Sequence, residues 1–416
     1  MHGWGCGVDW WVESLKPMRP CWVEITTGAF EDNYRFLKGL AGGAELLAVV
    51  KSDAYGHGLA ICAPAAVRAG AGWLGVTSVE EGNAARVLCP EAQILVMSGC
   101  FPGEGSELIQ LGLTAVVWEQ WHLDELEGAG CAAGAGSVPV QLEIDTGMSR
   151  QGVGLAELPD FLARMGMDGP LRVEGVLTHL YAADESDGVA NSEQMACLEA
   201  AIETIFAAGL RPEWLNVGAS AALLNGGAGW IEELAGKWGM KAMLRPGLAL
   251  YGVAPEFIPD EPASVAAARE RLKPVLSWKT RVVGVRTIPA GAVVGYNGTF
   301  VATEPMRVAL LPVGYADGLD RRLGNNFSLL VRGERAPLVG RISMDLAVVD
   351  VTEIDGVTAG DEVVILGPQG ADTISAFEHA EATGTIPWEV FTRIGGRVKR
   401  QGIGDREQNR DLGTRD

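Results

Sequence analysis

The stretch LLAVVKSDAYGHG occupies residues 46–58. Its first five residues, Leu46–Val50, are all apolar, which is typical of a strand that is buried on both faces of a sheet. Lys51 ends this run, and Gly56 and Gly58 mark a loop whose backbone can approach a ligand closely. The stretch therefore predicts a strand of a parallel sheet that leads into a functional loop.

Seven further apolar runs follow within the first 250 residues, and each is separated from the next by a segment of helical length. They are Trp73–Val76, Ile94–Met97, Thr114–Trp118, Val138–Ile144, Val173–Leu177, Trp214–Val217 and Met243–Leu250. Segments between them, such as Ser192–Ala208, are rich in Ala, Glu and Leu and have helical periodicity. Eight strands that alternate with helices predict an α/β fold with a closed (β/α)8 barrel of the TIM type; an open doubly wound sheet is the alternative.

The character of the sequence changes after about Pro255. Pro259–Pro262 predicts a turn-rich link and Ala263–Arg271 a helix, and closely spaced strands are predicted at Leu276–Val285, Arg307–Val313, Ser328–Arg332, Leu346–Val351 and Glu362–Leu366. We therefore expect a barrel at 19–258, a β-strand-rich C-terminal domain at 259–402 and a polar tail at 403–416. Residues 1–18 are expected to be an N-terminal extension, either disordered or preceding a true start at Met18.

The composition favours a soluble cytoplasmic protein. Asp and Glu number 53 against 33 Lys and Arg, and this formal charge of −20 argues against nucleic acid or an anionic membrane as partner. The seven scattered cysteines form no CxxC pair, which favours reduced thiols over disulfides or a metal site. No apolar run approaches the ~20 residues of a membrane helix, and the first residues lack the apolar core of a signal peptide.

Charged side chains at predicted strand ends are candidates for chemistry, because active sites of (β/α)8 barrels lie at the carboxyl ends of the strands. A desolvated Lys51 could react with an aldehyde cofactor, although a single lysine at this place more often only packs on the rim. Arg150 follows the run Val138–Ile144, and its planar guanidinium suits a carboxylate. His179 follows Val173–Leu177, where a structural histidine is the ordinary alternative.

The segment that begins at Lys51 resembles the start of the barrel in the alanine racemase family. Further motifs occur in the order of that family between about Arg19 and Arg400, at Asp145–Arg150, Thr178–Leu180, Gly218–Ala221, Leu244–Gly252, Gly295–Thr299, Gly314–Gly318 and Gly340–Asp345. The resemblance implies a barrel followed by a β domain, with pyridoxal 5'-phosphate as cofactor. It also implies interconversion of L-alanine and D-alanine, with D-alanine supplied for peptidoglycan.

The same resemblance assigns roles to residues of the barrel. Lys51 would hold the cofactor and act as one catalytic base, with Tyr55 at the cofactor phosphate. Arg150 would contact the cofactor's phenolic oxygen and the substrate carboxylate, His179 would lie against the pyridine ring, and Arg245 would face the pyridine nitrogen. The phosphate would also be bound by three neighbouring positions, namely Ser220 and the backbone N–H groups of Gly247 and Leu248.

Racemisation needs a proton carrier on each face of the substrate, and the resemblance places the second one, Tyr296, in the C-terminal domain. The backbone N–H of Met344 would bind the substrate carboxylate, and Trp388 stands where the family has a tyrosine at the phosphate. Tyr296 and Met344 would act in the active site of a partner subunit, which implies a homodimer with shared sites. The entrance to the site would be lined by Asp184, Tyr315, Arg321 and Arg341.

The sequence departs from the family pattern at Glu143, Asn216, Ala219 and Trp388. Many members carry a carbamylated lysine at position 143, whose anion orients the arginine at position 150. We expect Glu143 to face the barrel interior and to supply a carboxylate to Arg150 directly. The alternative is that Glu143 pairs elsewhere.

Three other functions are alternatives to an alanine racemase. A carrier protein for pyridoxal phosphate would have no need of a β domain with Tyr296. A barrel decarboxylase for basic amino acids would use an acidic residue where Arg245 stands and a cysteine in the second domain, but no cysteine follows Cys197. A racemase of broader specificity stays open, because Trp388 replaces a tyrosine that narrows the entrance.

Overall fold

The computed structural model describes residues 19–165, 169–186 and 188–404. Among these, residues 26–275 and 402–404 form one compact unit, and residues 19–25 and 276–401 form a second. The extension expected at 1–18 and the tail from residue 405 lie outside the described residues. Within the described part, no helix is long and apolar enough to cross a membrane.

The first unit is a closed barrel of eight parallel strands, which confirms the predicted (β/α)8 fold. Closure is made by the first and last strands, where Glu45 pairs with Met243 and Leu46 with Leu244. In barrel order the strands are Glu45–Val49, Trp73–Val76, Gln93–Val96, Thr114–Val117, Val138–Glu143, Leu171–Leu177, Trp214–Asn216 and Lys241–Leu244.

Helices alternate with these strands and cover the outside of the barrel, as the helical periodicity predicts. Their bounds are Thr27–Leu40, Leu59–Arg68, Val79–Leu88, Gly105–Gln110, Gln120–Ala133, Leu158–Met165, Val189–Ala207, Ser220–Leu224, Ala228–Lys237 and Ala263–Arg271. A left-handed turn lies at Lys51–Tyr55 and a 3-10 turn at Leu248–Tyr251.

The eighth strand is shorter than the apolar run that predicted it. The strand ends at Leu244, whereas the prediction extended it through Met243–Leu250. Pro246 has no N–H to donate to a neighbouring strand, and the chain turns into the 3-10 segment Leu248–Tyr251. The apolar side chains of that segment are buried as in a strand, which is why the pattern did not separate the two.

Large apolar side chains fill the barrel. The buried cluster consists of Leu47, Val49, Trp73, Leu95, Val116, Leu177 and Met243, and it is flanked by the half-buried Tyr55, Met97, Trp118 and Trp214. Five polar side chains are also buried on the barrel strands, namely Thr114, Gln141, Glu143, Glu174 and Asn216. Buried polar groups are costly unless hydrogen-bonded. Thr114 bonds to Glu174, whereas Gln141 and Asn216 belong to the hydrogen-bonded chain that reaches Arg245 of the candidate site.

The second unit is built from antiparallel strands. Its main sheet has the order Glu334–Pro337, Ser328–Val331, Glu362–Gln369, Leu276–Arg281, Cys21–Thr26 and Lys399–Ile403, and Asp372–Ile374 pairs with Glu362–Gln369. A three-stranded sheet contains Gly284–Ile288, Met306–Leu311 and Ala347–Asp350, and a hairpin pairs Val293–Val294 with Phe300–Val301. Short helical segments lie at Tyr296–Gly298, Tyr315–Asp317, Arg321–Leu323, Ala376–Thr383 and Pro387–Thr392.

Two boundaries differ from the sequence-based prediction. The predicted strand Leu276–Val285 is two strands, Leu276–Arg281 and Gly284–Ile288, which belong to different sheets. Residues 19–25 were expected in the barrel domain, but the strand Cys21–Thr26 pairs antiparallel with Leu276–Arg281 of the second unit. A single amphipathic strand carries no local sign of the sheet it will join, because that choice depends on a partner 250 residues away in sequence, such as Thr280 opposite Cys21.

Asn33 ties the first helix of the barrel unit to the segment that follows the eighth strand. Its Nδ2 donates to the carbonyls of Leu250 (3.1 Å) and Lys273 (2.8 Å), and its Oδ1 accepts from the N–H of Lys273 (2.8 Å). The side chain is almost fully buried. We therefore expect Asn33→Ala to lower the free energy of unfolding by about 1–3 kcal/mol, because it leaves buried backbone groups without partners.

Urea denaturation of the variant and of wild type would measure this loss. Asn83→Ala is the matched control, because Asn83 is exposed on the helix Val79–Leu88 of the same unit. Equal stability of the Asn33 and Asn83 variants would contradict the bridging role.

Candidate active site

Lys51 stands directly after the first barrel strand and opens an unusual turn. The four residues that follow it, Ser52–Tyr55, all have φ between 51° and 55°. None of them is glycine, and each left-handed residue costs roughly 1–2 kcal/mol. Such strain persists only where the surroundings impose it, and it concentrates at functional sites. The turn carries Lys51 at one end and Tyr55 at the other.

The amine of Lys51 lies in a positively charged and largely dry environment. Burial lowers the pKa of Lys51, the nearby Arg150 and Arg245 lower it further, and the carboxylate of Glu81 opposes them. A lysine with a lowered pKa is more often neutral, which is the state in which it can act as a nucleophile or base.

Tyr55, Ser220 and the loop at Gly247 form a small polar cradle. The Ser220 hydroxyl accepts from the backbone N–H of Gly247 (3.1 Å) and of Ala249 (3.2 Å). A Cβ atom at Gly247 would overlap the hydroxyl of Tyr55, so only glycine fits there. Two hydroxyls beside backbone N–H groups suit the oxygens of a phosphate. The predicted phosphate residues are thus brought together, with Leu248 buried beside them.

Arg245 is a buried cation that is held mainly by oxygen atoms of neighbouring strand ends. Its guanidinium donates to the carbonyl and to the side-chain oxygen of Asn216 (both 2.6 Å) and to the carbonyl of Thr178 (2.9 Å). Asn216 in turn donates to Gln141 (2.8 Å). Burial lowers the pKa of Arg245 to about 10, which leaves it charged at neutral pH. Arg245 can therefore donate a hydrogen bond to a ring nitrogen, but it keeps its own proton and does not transfer it to that nitrogen.

His179 lies close enough to these cations for its titration to respond to them. Burial lowers the pKa of His179 to about 3, and Arg245, Arg150 and Lys51 add to the effect. The imidazole is therefore neutral at physiological pH. A neutral flat ring suits contact with a pyridine ring better than it suits a role as a proton donor.

Glu143 is buried as expected, but its partner is not the expected one. The carboxylate accepts a hydrogen bond from Gln151 (2.5 Å), and Gln151 also donates to the carbonyl of Met97 (3.1 Å). Among the described residues no ion pair joins Glu143 to Arg150, which is exposed. The expected direct ion pair between Glu143 and Arg150 is therefore not formed, and the carboxylate is hydrogen-bonded to Gln151 instead.

The loop after the strand Val138–Glu143 explains this difference. The Asp145 carboxylate accepts from the N–H groups of Gly147 (2.9 Å) and Ser149 (3.0 Å) and so tightens the loop. The chain then returns alongside the strand end, where Val153 N–H donates to the carbonyl of Glu143 (2.8 Å). This return places Gln151 over Glu143 and leaves the guanidinium of Arg150 at the rim, accessible to a carboxylate.

The candidate residues of the second unit lie on neighbouring loops. A Cβ atom at Gly295, next to Tyr296, would lie 3.0 Å from the backbone nitrogen of Arg341. Farther along, the N–H of Tyr315 donates to the carbonyl of Ser343 (3.1 Å), and the N–H of Ala316 donates to that of Met344 (3.0 Å). The motifs of this unit that the sequence singled out therefore form one continuous surface.

Large side chains on this surface are exposed. The exposed fractions are 69% for Tyr296, 44% for Tyr315 and 53% for Met344. Tyr315 and Arg321 also line an open cavity of about 560 Å³, with Asp320, Arg322 and Arg393. The predicted entrance residue Asp184 is exposed in the barrel unit. Trp388 is half-buried in the helix Pro387–Thr392.

An ionic cluster around one buried carboxylate supports the loop of Tyr315. Asp317 is almost fully buried and pairs with Arg19 (3.1 Å) and Arg397 (2.7 Å), and both arginines also pair with Asp345. The Asp317 carboxylate also accepts from the N–H of Gly314 (2.8 Å). The cluster links Arg19 to Arg397 through the two loops that carry Tyr315 and Met344.

The donor set fits a phosphorylated pyridine aldehyde. It offers a half-buried lysine, a cradle of hydroxyls and N–H groups, a buried arginine and a neutral imidazole. Sequence analysis assigned no role to Gln151 or Gln141, since neutral side chains outside the motifs gave no signal. It assigned none to Thr178 either, because only His179 of that motif was singled out. Among the residues that the structure describes, no group of three His, Cys, Asp or Glu could hold a metal ion.

Burial raises the pKa of Glu143, even though Gln151, Arg245 and Arg150 oppose the shift. A raised pKa means that the folded protein holds this proton more tightly than the unfolded chain, so ionised Glu143 costs stability as the pH rises. We expect the stability of Glu143→Gln relative to wild type to increase from about pH 4 to about pH 7. Glu157→Gln, on an exposed part of the same unit, controls for the loss of one charge. Denaturant unfolding across this range measures the effect, and a relative stability that falls would contradict it.

Comparisons with known proteins agree with this geometry. The alanine racemase N-terminal domain family matches residues 25–255, and the alanine racemase C-terminal domain family matches residues 275–402. The alanine racemase of Symbiobacterium thermophilum is 37% identical over 386 residues, which cover 93% of this chain and 98% of that relative.

Solved structures give the same result. The alanine racemase from Streptomyces lavendulae, a producer of D-cycloserine, superposes with a TM-score of 0.82 at 34% identity and covers 94% of this chain and 98% of its own. The alanine racemase from Bartonella henselae, solved with covalently bound pyridoxal phosphate, has a TM-score of 0.78 at 28% identity and covers 92% and 99%. Since the family matches span both units, the chain belongs to the alanine racemase family of pyridoxal-phosphate-dependent isomerases.

Proposed function

We propose that this protein interconverts L-alanine and D-alanine, using pyridoxal 5'-phosphate, with Lys51 and Tyr296 as the two proton carriers. The observation that carries the proposal is the half-buried Lys51 with a lowered pKa beside Arg150 and Arg245. The polar cradle at Ser220 and Gly247 supports a phosphorylated cofactor. The names of the relatives support alanine as substrate.

Each residue has a defined task in this reaction. When bound, pyridoxal phosphate withdraws electrons from the substrate's α-carbon and makes its proton acidic. Lys51 takes or returns that proton at Nζ on one face, and Tyr296 does so at its phenolic oxygen on the other. Arg150 binds the substrate carboxylate with its exposed guanidinium. Arg245 offers N–H donors instead of a carboxylate, which keeps electron withdrawal moderate and limits transamination.

We propose a homodimer with shared sites, and the surface of the second unit supports it. Tyr296, Tyr315 and Met344 are large side chains that stay exposed in a single chain. Aromatic residues and Met are enriched in protein interfaces. We propose that Tyr296 and the N–H of Met344 complete the partner's active site, with Tyr315, Arg321 and Arg341 at the entrance.

The cellular role is the supply of D-alanine for peptidoglycan. Six cysteines have no disulfide in the described residues, and four of them are buried, namely Cys21, Cys62, Cys89 and Cys100. Reduced buried thiols suit a cytoplasmic enzyme.

Trp388 leaves a racemase of broader specificity as the second candidate function. Turnover assays on all amino acids, with separation of the enantiomers, distinguish it from an alanine racemase.

Lys51→Ala should abolish both binding of pyridoxal phosphate as a coloured species and racemisation, because the covalent anchor and one proton carrier are lost together. The visible spectrum of the purified protein and a coupled D-alanine assay measure these two effects. Lys38→Ala, at a half-buried lysine of the helix Thr27–Leu40, is the control. A colourless wild type that racemises alanine would refute the proposal.

Tyr296→Phe should keep the cofactor yet slow racemisation by about 10²–10⁴-fold, because one face loses its proton carrier. Exchange of the α-proton of one enantiomer with deuterated water should survive, since Lys51 remains. Near-normal rates in both directions would rule out Tyr296 as a base.

A mixture of the two inactive variants tests shared sites. In hybrid dimers of Lys51→Ala with Tyr296→Phe, one of the two sites has both wild-type residues. Random pairing should then restore about a quarter of wild-type activity, because half the dimers are hybrids. No recovery after subunit exchange would show that each chain forms its site alone.

A further inference from the structure

Glu81 makes a set of hydrogen bonds that joins two loops of the barrel rim. One carboxylate oxygen accepts from the backbone N–H of Ser52 (2.6 Å) and of Asp53 (3.4 Å). The other accepts from the N–H (3.0 Å) and the hydroxyl (3.2 Å) of Thr77. Glu81 thus lies between the turn that follows Lys51 and the end of the strand Trp73–Val76.

This arrangement is not the one that the local sequence predicts. Ser78 and Glu81 have the S-x-x-E spacing of a capping box, in which the glutamate accepts from the N–H of the capping serine. Ser78 does cap the helix, since its hydroxyl accepts from the N–H of Glu81 (3.2 Å). The Glu81 carboxylate instead binds Thr77 and the turn at Ser52, so helix capping does not account for its position.

The turn that Glu81 contacts needs external support. Ser52–Tyr55 are four consecutive left-handed residues without a glycine, and strain of this kind persists only where neighbours impose it. Glu81 is the side chain that accepts from the first two N–H groups of the turn. Within the turn, the Asp53 carboxylate accepts from the N–H of Leu59 (2.6 Å). This bond ties the turn to the start of the helix Leu59–Arg68, and Glu81 ties it to the end of the neighbouring strand.

Glu81 is also the negative charge near Lys51. The charged and titratable groups that act on Lys51 or respond to it are Glu81, Arg150, Arg245 and His179. Both arginines lower the pKa of Lys51, and His179 is neutral at physiological pH. Glu81 therefore limits how easily the amine loses its proton before the cofactor arrives.

We propose that Glu81 is a positioning residue of the active site, which holds the left-handed turn after Lys51 so that the amine meets the cofactor in a fixed geometry. This inference rests on the proposed function, since it concerns the loading of pyridoxal phosphate onto Lys51. Glu81 has two effects, the hydrogen bonds to the turn and the negative charge near Lys51, and two substitutions separate them. Glu81→Gln keeps an oxygen for Ser52 but removes the charge, whereas Glu81→Ala removes both.

The test is a titration of the full-length protein, freed of cofactor, with pyridoxal 5'-phosphate, followed by absorbance as a function of pH. For Glu81→Ala we expect the dissociation constant to rise about tenfold or more, since two N–H groups of a strained turn lose their acceptor. For Glu81→Gln we expect a smaller loss of affinity. The rising limb of its loading rate should move to lower pH, because the neutral amine is the reactive form and no carboxylate then opposes the arginines.

Two neighbouring substitutions serve as matched controls. Ser78→Ala weakens the same helix by removing its cap, at a cost of about 1 kcal/mol, but leaves the acceptor of Ser52 in place. Glu80→Gln removes an exposed charge from the same helical turn. Both should load cofactor with the wild-type affinity and pH dependence.

The outcomes distinguish the inference from the function on which it rests. If wild type forms no Lys51-dependent absorbance band, the proposed function fails. If wild type forms the band and Glu81→Ala loses no more affinity than Ser78→Ala at equal loss of Tm, Glu81 only stabilises a helix and the inference is overturned. Should Glu81→Ala not fold, Glu81→Gln decides, and a pH profile equal to that of Glu80→Gln would overturn the inference.

Discussion

The site depends on a charge placed inside a closed barrel. The guanidinium of Arg245 is buried, and in a medium of low dielectric constant an ion without partners is very unfavourable. Here the guanidinium donates to carbonyl oxygens at the ends of two adjacent strands, those of Asn216 and Thr178, and these oxygens stabilise its charge. Because these oxygens are fixed by the closure of the barrel, Arg245 has one orientation, and the surrounding groups adjust to its charge. Burial is the main cause of the lowered pKa values of His179 and Lys51, and the charge of Arg245 adds to both shifts. Burial also raises the pKa of Glu143, and there the charge of Arg245 opposes the shift.

Much of the barrel could be predicted because its strands are apolar on both faces and its helices are periodic, and the strand Trp73–Val76 was predicted to the residue. The predictions that failed were those of strand pairing and strand length, which depend on hydrogen bonds to other segments of the chain. The strand Cys21–Thr26 joins a sheet whose other members lie more than 200 residues away, and Met243–Leu250 looks like one strand because a buried 3-10 turn is as apolar as a strand. Both errors, the sheet that the first strand joins and the length of the last barrel strand, have one cause. The apolar pattern of a segment shows that it is buried but not which hydrogen bonds its backbone makes.

In the candidate site, too, some residues could be predicted from the sequence and others could not. Charged residues of the motifs, such as Lys51 and Arg245, could be named as candidates from the sequence, and both follow barrel strands. Their supports could not be named, because Gln151 and Glu81 act through contacts that arise only when separate loops meet. The S-x-x-E spacing at Ser78 is typical of a capping box, but only the serine caps the helix, and the glutamate binds a neighbouring loop.

The left-handed turn at Ser52–Tyr55 has a consequence for how free energy is distributed between folding and binding. Glycine at these positions would relieve the strain, yet a chain with glycine would have to lose more conformational freedom when a ligand arrives. With Ser, Asp, Ala and Tyr the backbone is ordered once, when the protein folds, and this ordering is not repeated at each encounter with a small molecule. Preorganisation of this kind lowers the stability of the folded protein and raises its affinity for a ligand. Substitutions that stiffen the barrel elsewhere should therefore leave ligand affinity intact, whereas substitutions that relieve the strain of this turn should reduce it.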